Sequence, residues 1–362
     1  MFELVKALSR HAEVRVVAFG EGAPMPLRHV SVRSVQMTIA GRLSANLRAP
    51  RPTLPGQVRL FLDADMRSMV SEQIESWRPD VLHVTLARMA PYMPAPGPFH
   101  RHLDFTDSLA LNMATRARAH RGPARLTFEL EARLMRAYEA EMAAAADSCS
   151  VVSKVDRDMA GLSGAAVIPN GVDPEAFPFA EPVKREPVMI FFGNLGYFHN
   201  VEPARFLAQR VLPLVRDRVP GAVLRLVGAR PAAAVRRLAS LDGVQLVPNA
   251  PEMAPELHRA AVAVVPSFSG SGIKNKVLES FCAGLPLVTN RLGIHGIEGA
   301  VAGEHFLLAE EPGAMATAAA DLLLDTDLRS RLASVAHALI LEGFTWSQQA
   351  DALVALYGLE LS

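Results

Sequence analysis

Apolar positions along the chain alternate between helical spacing and short continuous runs. Near the N-terminus, Phe2, Val5 and Leu8 share one helical face and predict a helix over residues 2–10. An apolar run over 14–19 then predicts a buried strand. Because an α/β domain is built from units that start with a strand, either a strand has been lost before this helix or the first domain begins in an unusual way.

The rest of the first half continues this alternation. Strands are predicted over residues 30–35, 80–84, 102–105, 149–152 and 165–168. Helices are predicted over 65–77 and 125–146, and the longer one carries Leu126, Leu130, Leu134 and Tyr138 at four-residue steps. We expect these four residues to form the apolar stripe of an amphipathic helix.

A proline-rich segment separates the two halves. It spans residues 174–187 and contains four prolines and several charges, a composition typical of a linker. Beyond it, apolar runs end at glycine or proline, and a loop and a helical segment follow each of them. Strands are thus predicted over 188–192, 223–227, 244–247, 262–265, 287–289 and 306–308, and helices over 201–218, 312–324, 327–342 and 346–357. The alternation predicts a parallel, doubly wound sheet.

The length of 362 residues and this pattern together predict two α/β domains. We expect a first domain over residues 1–178, a linker over 179–187 and a second domain over 188–344, with a final helix over 345–362 that packs back on the first domain. Ligands of open α/β sheets bind at the carboxyl ends of the strands. We therefore expect the ligand site in a cleft between the two domains.

Composition removes several classes of protein. Half of the residues are hydrophobic and the chain has 37 basic and 37 acidic residues, so a disordered, fibrous or polyanion-coating role is excluded. Cys149 and Cys282 lie apart in apolar segments and are expected to be buried thiols of a reducing compartment. The chain has neither a run of about 18 apolar residues nor the layout of a signal peptide. These features favour a cytoplasmic protein.

Basic residues are concentrated in the first sixty positions. This segment has three acidic residues against nine basic ones, which are Lys6, Arg10, Arg15, Arg28, Arg33, Arg42, Arg48, Arg51 and Arg59. Such an excess fits peripheral contact with an anionic membrane, and it equally fits an ordinary solvated surface rich in arginine. Nucleic-acid binding is not expected, because aromatic residues are only 6% of the chain and do not alternate with these cations.

The strongest chemical motif lies between Pro266 and Pro286, where a predicted strand ends, a glycine-rich loop follows and a helix begins. The amide groups and dipole of a helix start bind anions, and Lys274 and Lys276 add positive charge there although cations are disfavoured at that end. Glu279 lies on the same helical face and could accept hydrogen bonds from the two hydroxyls of a ribose. The alternative is a solvated ion pair between Lys276 and Glu279 on a surface helix.

These motifs resemble those of a known family. From Val188 to Trp346 the chain is similar to the donor domain of the retaining family-4 glycosyltransferases of GT-B fold. The residues that carry this resemblance are Phe192-Gly193-Asn194-Leu195, Val227-Gly228, Gly272 to Pro286 and Gly293 to Gly299. Upstream, the residues Leu103 to Ser108, Glu131, Glu139 and Asn170 to Asp173 resemble a bacterial branch that makes exopolysaccharide or other surface glycans.

The resemblance implies two Rossmann-like domains that face each other and transfer a sugar from a nucleotide-diphosphate sugar with retention of configuration. The acceptor would be a saccharide or a polyprenyl-diphosphate-linked glycan. In the family, two glutamates separated by seven intervening residues bind the donor sugar and the ribose. Glu279 matches the second, whereas Ser271 stands at the first, which leaves the contact to the donor hexose in doubt.

The resemblance also assigns the remaining donor-binding residues. Gly272 matches the loop glycine, while Lys274 and Lys276 would bind the diphosphate together with amide groups near Asn275. Gly193 and Asn194 would line the same site. Since two cations can neutralise the leaving diphosphate, neither a metal ion nor another cofactor is expected.

On the acceptor side, His83 matches the position from which a family histidine faces the reacting sugar carbon. A histidine at a strand end is more often structural. Arg88 and Asp104 are further acceptor-side candidates, and Asp104 could instead cap its loop. His199 and His295 lie in loops of the donor domain, where contact with the ligand and simple exposure to solvent are both open.

Two alternatives remain. Relatives begin with a strand and a glycine-rich loop before the first helix, so a chain without them could bind nucleotide sugars without turnover, with two strand edges unpaired. The other alternative is a sugar-nucleotide epimerase, which needs carboxylates as acid and base. Asp104, Asp107 and Glu298 are the plausible carboxylates for that reaction.

Overall fold

The computed structural model of the protein describes residues 1–20, 25–38, 53–182, 185–270 and 272–358. The chain forms two compact units. The first contains Met1–Pro169 and Trp346–Ser362, and the second contains Asn170–Thr345. Residues 170–178, which the sequence assigned to the first domain, lie in the second unit, where Val172 pairs with Thr345.

The first unit alternates short strands and helices. Its strands are β1 (Val14–Phe19), β2 (Val30–Val35), β3 (Val81–Thr85), β4 (His100–Asp104), β5 (Ser148–Val151) and β6 (Ala166–Val167). Its helices are α1 (Phe2–Leu8), α2 (Gly56–Arg59), α3 (Ala64–Trp77), α4 (Leu109–Ala119), α5 (Pro123–Ala145), α6 (Lys154–Ala160) and α14 (Trp346–Leu356), with a 3-10 helix over Ala87–Tyr92.

The described strands of the first unit form two separate parallel sheets, β1–β2 and β3–β4–β5–β6. Leu103, Phe105, Met135 and Val151 belong to the core that packs on the longer sheet. Val17 and Phe19 of β1 share a smaller core with Met66 of α3 and Tyr92.

The long helix α5 corrects one prediction. Leu126 and Leu130, expected in its buried stripe, are 67% and 59% exposed. The buried residues of α5 are Met135, Tyr138 and Glu139. A step of four residues advances about 400° around a helix of 3.6 residues per turn, so a line drawn every fourth residue moves off the buried face after two turns.

The final helix packs within the first unit. Leu353 and Tyr357 form a small core with Leu4 of α1, and Val81 and Trp346 pack against it. The chain therefore enters the first unit twice, once at each end, with the whole second unit between the two passes.

The second unit is a single parallel sheet in the order β12-β11-β10-β7-β8-β9. Its strands are β7 (Val188–Phe192), β8 (Val223–Gly228), β9 (Val244–Pro248), β10 (Val262–Val265), β11 (Leu287–Thr289) and β12 (Leu307–Leu308). Its helices are α7 (Phe198–Phe206), α8 (Leu212–Arg216), α9 (Ala233–Arg236), α10 (Ala254–Arg259), α11 (Asn275–Cys282), α12 (Pro312–Leu324) and α13 (Thr326–Gly343). Every residue of β7 and β10 is buried, as expected for central strands covered on both faces.

The helix predicted over 201–218 is divided. α7 ends at Phe206, a π-helical turn covers Leu207–Val211, and α8 follows. Pro213, at the start of α8, has no amide hydrogen to donate, and in a regular helix its ring would meet the carbonyl four residues earlier. The wider turn before it relieves that conflict. None of the described helices of the chain is long and apolar enough to cross a membrane.

Candidate donor site and acceptor-side residues

The candidate donor site lies at the carboxyl ends of β7, β8 and β10 in the second unit. Gly193 follows β7 and Gly228 ends β8, and a Cβ atom on Gly228 would stand 1.7 Å from the carbonyl oxygen of Gly193. Only glycine permits this approach, and with φ of +151° Gly228 adopts a backbone conformation that other residues avoid. The two loops therefore meet directly beneath the site.

Lys276, in the first turn of α11, reaches back toward these loops. Its Nζ donates a hydrogen bond to Asn200 Oδ1 at 2.7 Å and lies 4.2 Å from the centre of the Phe191 ring. Burial lowers the pKa of Lys276 to about 7, with Lys274 lowering it further and Glu279 opposing the change. Near neutral pH the Lys276 amine therefore gains or loses its proton easily. A nearby anion would stabilise the protonated, charged form.

Glu279 lies one turn further along α11. Burial raises the pKa of its carboxyl to about 7 against the opposing charge of Lys276. Within the described part of the chain, Glu279 forms neither a hydrogen bond nor an ion pair at 4.0 Å or less, so the simple Lys276–Glu279 surface pair is not present. A partly buried carboxyl without a protein partner is suited to accept hydrogen bonds from a ligand.

The loop before α11 brings further polar groups to the same place. Lys274 Nζ donates to the carbonyl of Gly272 at 3.0 Å, and a Cβ atom on Gly270 would lie 3.7 Å from that Nζ. Asn275 opens the helix, and its Oδ1 accepts from Asn170 Nδ2 at 2.8 Å. Among the residues that the structure describes, no side chain caps the start of α11. Ser271 lies outside the described residues.

Asn200 was missed by the sequence analysis. Besides accepting from Lys276, it donates from Nδ2 to the carbonyl of Asn194 at 2.8 Å. It thereby joins the loop after β7 to the cation of α11. Its neighbour His199 hydrogen-bonds to Ser269 Oγ of the loop after β10. The available signal was two adjacent polar residues in the first turn of a helix that follows a glycine-rich loop.

Asn290 is a second residue that was missed. Its side chain is 6% exposed and makes three hydrogen bonds: Oδ1 accepts from the amides of Ser267 at 3.0 Å and Gly293 at 2.9 Å, and Nδ2 donates to the carbonyl of Ser267 at 2.8 Å. These bonds fasten the loop after β10 to the turn after β11. A Cβ atom on Gly293 would stand 2.0 Å from Thr289 Oγ1, so that turn also requires glycine.

Lys274, Lys276 and the uncapped start of α11 thus lie beside the loops after β7 and β8, whose backbone groups could also contact a ligand. Such a set binds oxyanions, because exposed amides, the helix dipole and the ammonium groups all favour negative charge. Glu279, beyond the cations, is an acceptor for neutral hydroxyls. The arrangement suits a ligand with an anionic group at one position and a diol at the next.

The acceptor-side candidates lie in the first unit. The ring of His83 in β3 has Nδ1 2.7 Å from the Tyr357 hydroxyl and Nε2 3.8 Å from Asp104 Oδ2. Both ring nitrogens therefore face groups of the first unit. Burial raises the pKa of Tyr357 above its ordinary value, and the charge of Asp104 adds to that rise. The contact with Tyr357 gives His83 a structural role in holding the residue that follows α14.

Asp104, at the end of β4, is held by its own loop. It accepts hydrogen bonds from the amide of Thr106 at 2.7 Å, from Thr106 Oγ1 at 3.2 Å and from Ser150 Oγ at 3.4 Å. Burial alone raises the pKa of Asp104, but hydrogen bonds and charges from His83, Thr106 and His102 outweigh it and hold the pKa below its ordinary value. An ionised, well-bonded carboxylate is a loop cap rather than a proton acceptor.

Of the three acceptor-side candidates, Arg88 has the fewest partners for its charge. It lies in the 3-10 helix after β3, and its guanidinium carbon is 4.8 Å from the centre of the Phe61 ring. Burial lowers the pKa of Arg88, and the charge of Arg116 lowers it further. Within the described residues no carboxylate pairs with it, so its charge is available to an anionic or hydroxylated ligand.

Two family models match the chain. Residues 1–176 match the model described as Glycosyltransferase Family 4, and residues 186–325 match the model described as Glycosyl transferases group 1. Together the two models cover most of the chain, which therefore belongs to the family-4 glycosyltransferases. The chain is an enzyme of sugar transfer, and the epimerase alternative is set aside. No curated protein sequence matches it.

Solved structures share the fold at low sequence identity. Sucrose-phosphate synthase (tll1590) from Thermosynechococcus elongatus has a TM-score of 0.72 and 16% identity, over 98% of this chain and 91% of the other. Anabaena Alr3699/HepE, in complex with UDP and glucose, has a TM-score of 0.66 and 15% identity, over 99% and 94%. WaaG, a glycosyltransferase involved in lipopolysaccharide biosynthesis, has a TM-score of 0.64 and 14% identity, over 99% and 95%. The fold is accordingly the two-domain GT-B type.

Proposed function

We propose that the protein transfers a sugar from a nucleotide-diphosphate sugar to a saccharide or polyprenyl-diphosphate-linked acceptor, with retention of configuration, in surface-glycan synthesis at the cytoplasmic face of the membrane. The observation that carries the proposal is the group formed by Lys276, Asn200 and Glu279. It combines a cation fixed over Phe191 with a carboxyl that has no described protein partner. The bound UDP and glucose of HepE support a donor of this class.

In the proposed reaction, the bond between the sugar carbon and the diphosphate oxygen breaks and the electron pair leaves with the nucleotide. The acceptor hydroxyl bonds to the same carbon from the face that the diphosphate leaves, and its proton passes to the leaving diphosphate. Lys274, Lys276 and the start of α11 stabilise the charge that develops on that group. Two cations at this position support a reaction that needs no metal ion.

Glu279 is proposed to bind both ribose hydroxyls, which selects a nucleotide without selecting its base. Ser271, at the position of the first glutamate of the family, is proposed to contact the donor sugar through its hydroxyl. On the acceptor side, the unpaired guanidinium of Arg88 is the best supported contact for the acceptor. His83 and Asp104 shape the loop around it through the bonds described above.

The experiment first identifies the nucleotide and then tests the site. Thermal shift with UDP, GDP, ADP and their sugars ranks the donors, because ligand stabilisation follows ligand concentration divided by Kd. Hydrolysis of the best donor should fall at least a hundredfold in Lys276→Ala and in Glu279→Ala. The exposed residues Lys154 and Glu252 provide matched controls, and their alanine variants should keep wild-type rates. Wild-type hydrolysis in both site variants would refute the proposal.

A second candidate function is nucleotide-sugar binding without turnover. The observation that favours it is the division of the first unit into two sheets. It predicts that a nucleotide stabilises the wild-type chain while neither hydrolysis nor transfer of the matching sugar is detected. Transfer by the wild-type chain would exclude it.

A further inference from the structure

A groove of about 690 Å³ runs between α4 and α5 in the first unit, and its lining includes none of the acceptor-side candidates described above. Its lining combines five alanines with Arg118, Arg125, Arg133 and Arg136, and Glu129 is the one acidic residue of that lining. The small alanine side chains leave the groove open, and the long cationic side chains surround it. The groove is therefore shaped for negatively charged groups.

The charge of this groove is mostly uncompensated. Glu129 is bound to Arg125, with the arginine Nε 2.8 Å from the glutamate Oε1. Among the described residues, Arg118, Arg133 and Arg136 form no ion pair, and Arg136 lies close enough to a further carboxyl, that of Glu139, to oppose the rise that burial causes in its pKa. Guanidinium groups bind phosphate oxygens through two parallel hydrogen bonds, so three of them along one groove favour a phosphorylated surface.

Leu126 and Leu130 indicate what kind of surface this is. They stand one turn apart on the exposed side of α5, next to Arg133, and water reaches well over half of each side chain. A soluble anion would gain nothing from these leucines. A helix face that joins arginines to exposed leucines fits the boundary between lipid headgroups and acyl chains.

Two of the basic residues of the first sixty positions are already engaged within the chain. Of the nine, Arg42, Arg48 and Arg51 lie outside the described residues. Arg15 packs over the Trp77 ring at 4.7 Å, and Lys6 pairs with Glu3 at 3.8 Å. The groove on α4 and α5 instead combines charge, apolar side chains and space in one place.

We propose that the α4–α5 face docks the protein on an anionic lipid bilayer, with headgroup phosphates in the arginine groove and Leu126 and Leu130 inserted at the boundary with the acyl chains. This docking deepens the proposed function and rests on it in one respect: transfer to a lipid-linked acceptor is the reason why the protein would bind a membrane. Vesicle binding is measured without donor or acceptor, so a failure of the transfer proposal does not decide it.

The test is co-sedimentation of the full chain with vesicles of phosphatidylcholine alone or with 30% phosphatidylglycerol. Wild type should bind the mixed vesicles and not the neutral ones. The double variants Arg133→Glu/Arg136→Glu and Leu126→Ser/Leu130→Ser should each bind at least tenfold more weakly. Arg237→Glu/Arg259→Glu carries the same change of charge on the second unit and should bind within twofold of wild type. Thermal unfolding of each variant establishes that it is folded.

Four results would overturn the proposal. Wild type could bind neutral and anionic vesicles equally or neither. The control pair could lose binding as much as the groove pair. In addition, Arg28→Glu/Arg33→Glu could abolish binding while both α5 variants keep it, which would return the membrane contact to the N-terminal segment. Binding to soluble glycerol phosphate but not to vesicles would assign the groove to a free phosphate and also refute docking.

Discussion

The ammonium of Lys276 is surrounded by an aromatic ring, one amide oxygen and a second lysine two residues away. Its single described hydrogen bond, to Asn200, leaves two donor hydrogens for a ligand. Because burial lowers its pKa to about 7, the group is largely neutral in mildly alkaline solution. An arriving diphosphate restores the charge by raising the pKa again.

We therefore predict that UDP binding takes up a proton at pH 8. There UDP is fully ionised and Glu279 is mostly ionised, so uptake reports Lys276. Since the complex binds more protons than the free chain, UDP affinity should fall as pH rises above about 7. Calorimetry in buffers of different ionisation enthalpy should give nearly one proton per UDP for wild type and for Lys154→Met, and none for Lys276→Met. Equal heats in all buffers for wild type would contradict the assignment.

At the scale of elements, Asn290 connects the loop that leads to the candidate donor-site helix α11 with the turn after β11. The loop after β10 leads to Lys274 and α11, and the turn after β11 contains Gly293 and His295. Three hydrogen bonds from one buried amide fix their separation. Each such bond contributes about 1 kcal/mol, and a buried group left unpaired costs more.

Asn290→Ala should therefore weaken UDP binding at least tenfold while the second unit remains folded. Asn290→Asp keeps the acceptor oxygen but replaces the donor to the Ser267 carbonyl with an oxygen that repels it, so its affinity should also fall below that of wild type. Gln245→Ala, which removes an amide from the outer strand β9, is the matched control. Unchanged UDP affinity in Asn290→Ala would show that the loops hold their positions without it.

Most elements could be predicted from the sequence because their apolar periods are strong. The strands β1, β2, β7, β10 and β11 begin and end at the predicted residues. Where prediction failed, the cause was geometric. A four-residue spacing in α5 was followed too far around the helix, and Pro213 divided a helix whose apolar pattern is continuous.

The candidate site was predictable only in part. Lys274, Lys276 and Glu279 form a local motif, so the spacing along one helix brings them together. Asn200 and Asn290 contribute through contacts across 76 and 23 residues, which no local pattern reveals. The partners of His83 illustrate the same limit, since Tyr357 comes from the far end of the chain.

At the scale of the whole molecule, the course of the chain divides stability between two units. The first is completed only when α14 returns to pack on α1, and the core of the second is enclosed by α12 and α13. Leu353 is 2% exposed in the first unit and Leu322 is fully buried in the second. They are thus a matched pair of leucines, one in each core.

We predict that Leu353→Ala lowers the stability of the first unit and Leu322→Ala that of the second, each by about 2–5 kcal/mol. Both tryptophans, Trp77 and Trp346, lie in the first unit, so their fluorescence reports its unfolding in urea. In scanning calorimetry, the unfolding transition that shifts when UDP is added reports the second unit. Leu353→Ala should move the fluorescence transition and leave the UDP-dependent one in place, whereas Leu322→Ala should do the reverse. If either variant moved both transitions equally, the two units would unfold as one cooperative body, and the cores would not be independent.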